Sequence, residues 1–317
     1  MNPLEEDIQS LATEVRSGDI RALARAISIV ENRSEGWMGF LKAIFPSTGK
    51  AKILGLTGAP GAGKSTLVDQ LTLHYRKDNH QVGIIAVDPT SPYSGGAILG
   101  DRIRMQRHFA DPGIYIRSMA TRGALGGVAS ATADVASVLD ASGRDLILIE
   151  TVGVGQDEVD IVRLADVTVV ILVPGMGDDV QSIKAGIMEI ADIFVINKSD
   201  YDGAERVEHE IKALQSLAVG KDEWVPPIVK TVASEGQGVE ELAAAIGNYE
   251  DYLQKNNLLL RRQTNNWQTR LIEMLRDSLL ERIRAGLSNE TLAQYATEIA
   301  SHKRDPYSTV EEIAKNL

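Results

Sequence analysis

Cysteine is absent from this 317-residue chain. That excludes disulfides, thiolate metal sites and a cysteine nucleophile, and it suits a reducing compartment. An excess of positive charge is missing too: Lys and Arg total 33 against 44 for Asp and Glu, a net charge of −11. A broad surface for a nucleic-acid backbone is therefore not expected, whereas a local basic spot for one anionic ligand is compatible with the balance. Long apolar runs are also missing. The longest, Val167 to Pro174, falls well short of the ~20 residues that span a bilayer. The opening residues, Met1 to Asp7, are acidic, unlike the basic start of a secretory leader. The expectation is a soluble cytoplasmic protein without membrane or nucleic-acid partners.

What is present is ordinary in amount, 44% hydrophobic and 24% charged residues, and informative in order. Residues 4–45 have helical spacing, with Ile20, Leu23, Ala24, Ile27 and Val30 on one face. Pro46 to Gly49 breaks the pattern. Short continuous apolar runs follow at Ile53–Thr57, Val82–Val87, Leu146–Ile149, Val167–Val173, Ile193–Ile196 and Ile228–Val232, with Ile114–Arg117 as a further strand. Continuous rather than alternating runs, separated by helical stretches, predict strands buried on both faces of a mainly parallel α/β sheet. Past Gly247 the strands cease. Tyr249 to Leu287 reads as one helix with Trp267, Leu271, Leu275, Leu279, Ile283 and Leu287 at four-residue steps, and Ser308-Thr309-Val310-Glu311 reads as a capping box. The expected organisation is a helical extension over 1–46, a nucleotide-binding domain over 47–248 and a helical arm over 249–317.

Gly58-Ala59-Pro60-Gly61-Ala62-Gly63-Lys64-Ser65 fits G-x-x-x-x-G-K-[ST] between a predicted strand and the helical stretch Thr66–Tyr75. The glycines let successive N–H groups turn toward phosphate oxygens, and the following helix adds its positive end. Lys64 is expected on the β- and γ-phosphates and Ser65 on Mg²⁺. Asn197-Lys198-Ser199-Asp200 follows another strand. A carboxylate at Asp200 accepts from guanine N1–H and N2–H₂. Adenine has neither donor and would leave it unpaired. Val232-Ala233-Ser234 is placed to reach guanine O6 through backbone N–H groups.

Glu150-Thr151-Val152-Gly153 closes a strand where nucleotide hydrolases place an acid near Mg²⁺ and a glycine N–H near the γ-phosphate, and Gln156 is a candidate for orienting water. The loop from Asp88 to Asp101 leaves a strand at its carboxyl end, where α/β sheets bind ligands. Asp88 and Asp101 join Ser65 and Glu150 as candidate metal ligands. Lys64, Asp88, Asp101, Glu150, Gly153 and Gln156 are the candidate catalytic set. A third loop, Gly175 to Lys184, also leaves a strand end and carries two glycines and two acids.

Asp88 to Arg102, Thr121 to Gly127, Glu150 to Gln156 and Asp305-Pro306-Tyr307 resemble the MeaB/ArgK-type P-loop GTPases, the group that includes the human methylmalonic aciduria type A protein. The resemblance runs from about Arg21 to the C-terminal helix. It departs from the expected pattern at Ala97 and Ala124, neither on an expected nucleotide contact. It implies a GTP-dependent chaperone of an adenosylcobalamin-dependent acyl-CoA mutase, with Asp88–Asp101 and Glu150–Gln156 as switches I and II, Gly175–Lys184 as a third switch, and a homodimer joined through the C-terminal helices. The chain itself lacks the D-x-H-x-x-G cobalamin signature, so the mutase is expected to hold the corrin. Three other readings stand beside this one. One is a metal-delivery GTPase, disfavoured by the lack of Cys and by scattered His74, His80, His108, His209 and His302. The second is a transport-associated ATPase or kinase, disfavoured by N-K-x-D. The third is a nucleotide-gated binding module with negligible turnover.

Overall fold

A computed structural model describes residues 3–88, 105–108, 110–120, 127–151, 164–175, 190–218 and 224–315. The chain divides into two compact units, Met1–Gln263 and Thr264–Leu317.

The first unit opens with helices α1 (Pro3–Arg16), α2 (Ile20–Glu31) and α3 (Trp37–Ile44). Asp19 caps α2 by accepting from Ala22 N at 2.7 Å. The buried face of α2 is Ala22, Leu23, Ala26, Ile27 and Val30. Ile20, expected on that stripe, is 48% exposed. It starts the helix, and side chains project back toward the N-terminus, past the last covering turn.

Strands β1 (Lys52–Gly58), β2 (Val82–Asp88), β3 (Ile114–Ala120), β4 (Leu146–Glu150), β5 (Val167–Leu172), β6 (Ile193–Asn197) and β7 (Ile228–Thr231) form one sheet in the order β3-β2-β4-β1-β5-β6-β7. Every described pairing is parallel. Helices α4 (Lys64–Lys77), α5 (Gly127–Ala141), α6 (Ala204–Ala218) and α7 (Val239–Lys255) lie between or after the strands. The mainly parallel α/β P-loop fold is as the apolar runs predict. The strand Ile114–Arg117 continues to Ala120, and its edge position explains its mixed composition.

The continuous runs have a direct cause. Leu146 and Leu148 enter a core with Leu67, Leu71, Leu242 and Ile246 of α4 and α7. The alternate residues Ile147 and Ile149 enter a second core with α1, α2, α3 and α5. A third, smaller core sets Val170, Leu172, Phe194 and Ile196 against α6. Residues pointing either way meet helices, so no polar alternation survives. The helices before Pro46 thus share a core with the sheet. A buried Asp140 carboxylate accepts from the backbone N–H of Gly49, Lys50 and Ala51 and fixes the start of β1.

Two local expectations need correction. The stretch Tyr249 to Leu287 is not one helix: α7 ends at Lys255 and α8 spans Leu259–Gly286. Asn257 between them has φ 55°, a left-handed conformation that asparagine tolerates and that ends a helix. Helices α9 (Asn289–Ala300) and α10 (Pro306–Lys315) complete the second unit. Ser308 to Glu311 lies inside α10 rather than opening it. Asp305 is the cap, accepting from Tyr307 N at 2.9 Å and Ser308 N at 3.0 Å, and Pro306 occupies the first turn, where its missing N–H costs nothing. No described helix is long and apolar enough to cross a membrane.

Candidate functional site

Strand β1 has β4 on one side and β5 on the other. The chain builds one half of the sheet and then crosses β1 to build the other half. The carboxyl end of β1 is therefore the place where flanking loops part, the usual ligand crevice of such sheets. Gly58 to Ser65 occupies it.

The loop's shape depends on glycine at two points. Gly58 has φ 144°, and a Cβ there would stand 2.1 Å from Ile171 O on β5. Gly63 has φ 88°, and its Cβ would stand 2.3 Å from Asn197 Nδ2. The second approach joins the phosphate loop to the N-K-x-D loop. Asn197, buried at the end of β6, donates to Ala62 O at 2.8 Å. Its carbonyl oxygen accepts from Thr231 Oγ1 at 3.0 Å and from Ala233 N at 3.1 Å. One amide thus ties together three strand ends. Lys198, at φ 55°, donates to Gly61 O at 3.0 Å. Asp200 is exposed at the loop's tip.

These contacts narrow one expectation. The N–H of Val232 donates to Gln237 O at 3.1 Å, and that of Ala233 goes to Asn197. Of the three backbone donors expected near a base, Ser234 is the one left to offer, on an exposed residue.

Lys64 is buried and donates to Gly58 O at 2.7 Å and Ala59 O at 3.1 Å. Its ammonium group lies against the start of the same loop. Ser65 and Glu150, which are 85 residues apart, meet in a 2.6 Å hydrogen bond from Ser65 Oγ to Glu150 Oε1. Both are buried, at 7% and 3% exposure. Beside them Thr151 Oγ1 donates to Thr57 Oγ1 at 3.0 Å, linking the ends of β4 and β1. Asp88 ends β2, two residues past Ala86, the rung partner of Glu150. Its side chain lies outside the described part, as do Asp101, Gly153, Gln156 and the third loop beyond Gly175. Pro60 and Gly61 at the loop's crest are exposed, and Ala59 and Thr66 are half-buried.

Motif reading missed a second cluster on the phosphate-loop helix. Asp69 accepts from Arg107 Nε at 2.7 Å and lies 2.6 Å from His108 Nε2. Burial first, then the Arg107 guanidinium, pushes the His108 imidazole below its ordinary value, against the pull of Asp111. His108 Nε2 faces the Asp69 carboxylate, so it is the ring nitrogen that donates in this contact. The signal available in the sequence was Ser65, Asp69, Thr72 and Arg76 at helical spacing, a polar stripe that reads as a solvated face.

Similarity to known proteins agrees with this site. The profile of the family described as methylmalonyl Co-A mutase-associated GTPase MeaB matches residues 23–288. The chain belongs to this family, and it is a GTPase. A Pyrococcus abyssi protein named as a GTPase is 46% identical over 98% of this chain and 97% of its own. The GTPase ArgK of Escherichia coli is 36% identical over 92% of this chain and 88% of its own. The mouse mitochondrial methylmalonic aciduria type A homolog is 39% identical over 69% of this chain and 55% of its own. A solved structure described as a LAO/AO transport system kinase superposes with a TM-score of 0.73 at 26% identity, covering 99% of this chain and 98% of that one.

Proposed function

We propose that this GTPase gates the loading and protection of the cobalamin cofactor of an adenosylcobalamin-dependent acyl-CoA mutase. The observation that carries the reading is the match of residues 23–288 to a family described as mutase-associated.

The site chemistry fits GTP hydrolysis with Mg²⁺. Ser65 and Glu150 offer a hydroxyl and a carboxylate, hard oxygen donors brought together in a buried position. Such donors suit Mg²⁺, and Asp88 and Asp101 are the further ligands we assign. Bound there, Mg²⁺ supplies charge neutralisation at the β- and γ-phosphate oxygens. Lys64 exchanges its two carbonyl partners for phosphate oxygens, and the loop's N–H groups hold the same anion. Gly153 offers a backbone N–H to the γ-phosphate, and Gln156 orients the water that attacks in line. Preorganised donors aimed at developing charge supply most of the catalysis. Asp200 selects guanine, and Ser234 N–H reaches its O6. The kinase description of one solved relative has a counter-argument in this chain, because N-K-x-D suits guanine and leaves a carboxylate unpaired on adenine.

The reading is tested by titrating purified acyl-CoA mutase into the protein loaded with GDP or with a non-hydrolysable GTP analogue. Binding that differs between nucleotide states, with turnover altered by the mutase, is expected. Equal absence of binding in both states overturns it.

A further inference from the structure

Helix α4 is polar on a face where a helix packed in a core is expected to be apolar. Ser65, Asp69, Thr72 and Arg76 recur at steps of four, three and four residues and share one side of the helix. Ser65, Asp69 and Thr72 are buried. Leu67, Val68 and Leu71 occupy the adjoining surface and enter the main core.

Thr72 donates back to Val68 O of its own helix at 2.7 Å, and the other three reach across to other segments. Ser65 holds Glu150 of β4. Asp69 holds Arg107 and His108. Arg76 grips Asp111 with two hydrogen bonds, Nε at 2.9 Å and Nη2 at 2.8 Å. Arg107, His108 and Asp111 belong to the described residues 105–108 and 110–113, the limb that leads into β3. Met105 at its start is fully buried in the same core as Leu67 and Leu71. In the sequence, Asp101 stands four residues before Met105.

An apolar pair in place of Asp69 and His108 would fill this volume without desolvating a carboxylate. Buried polar groups of this kind often add little net stability, and the use they serve elsewhere is to fix one register among several. Here the carboxylate fixes one limb on one turn of one helix. That turn directly follows the turn bearing Ser65.

We propose that Asp69 is a positioning residue of the GTPase reaction. Its carboxylate locks the Met105–His108 limb to the phosphate-loop helix, so the limb and the Ser65 hydroxyl are held as one body. Without the lock, the limb and the helix settle independently, and the metal site loses its fixed geometry. Groups that orient metal ligands in this way commonly contribute 10- to 100-fold to metal affinity or activity.

This inference rests on the reading of Ser65 as a Mg²⁺ ligand, so the test includes a variant for each. GTP turnover is measured against Mg²⁺ concentration, alongside Mg²⁺-free GDP affinity and melting temperature. Ser65→Ala is expected to raise the Mg²⁺ half-saturation point. Asp69→Asn is expected to raise it about tenfold and to lower kcat, with Mg²⁺-free GDP affinity close to wild type. Arg107→Gln removes one of the two Asp69 partners at a half-exposed position, so folding is not at risk. Its shift has the same direction and is smaller. Arg262→Gln is the structural reference. It breaks a buried pair with Asp192, at the start of β6 and the opposite end of the sheet, and it is expected to lower the melting temperature alone. If Ser65→Ala leaves the Mg²⁺ dependence unchanged, the metal reading falls and the inference falls with it. If Ser65→Ala shifts it while Asp69→Asn and Arg107→Gln only lose melting temperature, as Arg262→Gln does, Asp69 is structural and the inference alone is wrong. Should Asp69→Asn fail to fold, the Arg107→Gln result decides.

Discussion

At the residue scale, the site contrasts groups fixed by their neighbours with groups left to meet a ligand. Asn197 is fixed: its amide is bonded to Ala62 O, Thr231 Oγ1 and Ala233 N. A Cβ on Gly63 would collide with it. Asp200, three residues on, is exposed and is the group we assign to the guanine base. Asp200→Asn is therefore expected to leave the fold intact and change the ligand. The amide repels N2–H₂ of guanine, and it donates well to the C2 carbonyl of xanthine. GTP affinity should fall by about two orders of magnitude or more, while xanthosine triphosphate binding rises. Competition between the two nucleotides on wild type and variant checks this. A variant that keeps its GTP preference shows that Asp200 does not read the base.

At the element scale, the sequence revealed the strands and the phosphate loop because their requirements are local. A phosphate needs consecutive N–H groups, so Gly58 to Ser65 is contiguous. A strand buried on both faces needs an unbroken apolar run, as Leu146 to Ile149 shows. The polar seam of α4 was illegible because its partners lie far along the chain. Asp69 and His108 are separated by 39 residues, and a buried Asp at helical spacing looks the same as a solvated one. The break at Asn257 was hidden for a different reason, since asparagine serves equally inside a helix or at its end. One seam contact yields a pH-dependent prediction. The Arg76 guanidinium, through its hydrogen bonds, holds the Asp111 carboxyl below its ordinary value. An acid with a depressed folded pKa stabilises above its unfolded pKa of about 3.9 and loses that stability as pH falls through the lower folded value. Asp111 is one-third exposed, so solvent screening keeps its contribution to about 1 kcal/mol. Asp111→Asn should thus be less stable than wild type by about that amount at pH 7, with the gap closing below about pH 4. Urea unfolding across that range measures it. A gap as wide at pH 3 as at pH 7 would show that charge plays no part.

At the scale of the whole molecule, the nucleotide machinery and the exposed apolar stripe of α8 lie in different units. The described site residues all fall within Met1–Gln263. The second unit exposes Trp267, Leu271, Leu275 and Leu279 of α8 at 41%, 51%, 62% and 47%. Ile272, Met274 and Leu280 on the same helix are also exposed. A four-residue step advances about 40° around an α-helix beyond a full turn, so this stripe winds as it rises and, with its neighbours, covers much of the circumference. A helix apolar around so much of its surface is ordinarily buried by more than one neighbour. We therefore assign α8 to a homodimer in which a second copy of the unit covers this surface. Each fully buried leucine contributes about 1.5–3 kcal/mol. Leu271 and Leu275 have about half their surface left to bury and occur in both copies, so replacing both by Asp removes roughly 3–6 kcal/mol of apolar burial per dimer and places four carboxylates in the interface. That corresponds to a dissociation constant raised about 10²- to 10⁴-fold. Light scattering is expected to show a dimer for wild type and a monomer for the double variant, with GDP affinity unchanged because the nucleotide site lies in the other unit. Point substitutions serve better here than truncation at residue 262, which would remove the Arg262 anchor of Asp192 together with the arm. A wild-type chain that stays monomeric at every concentration, or a double variant that stays dimeric, would mean that the exposed face of α8 is not where two copies meet.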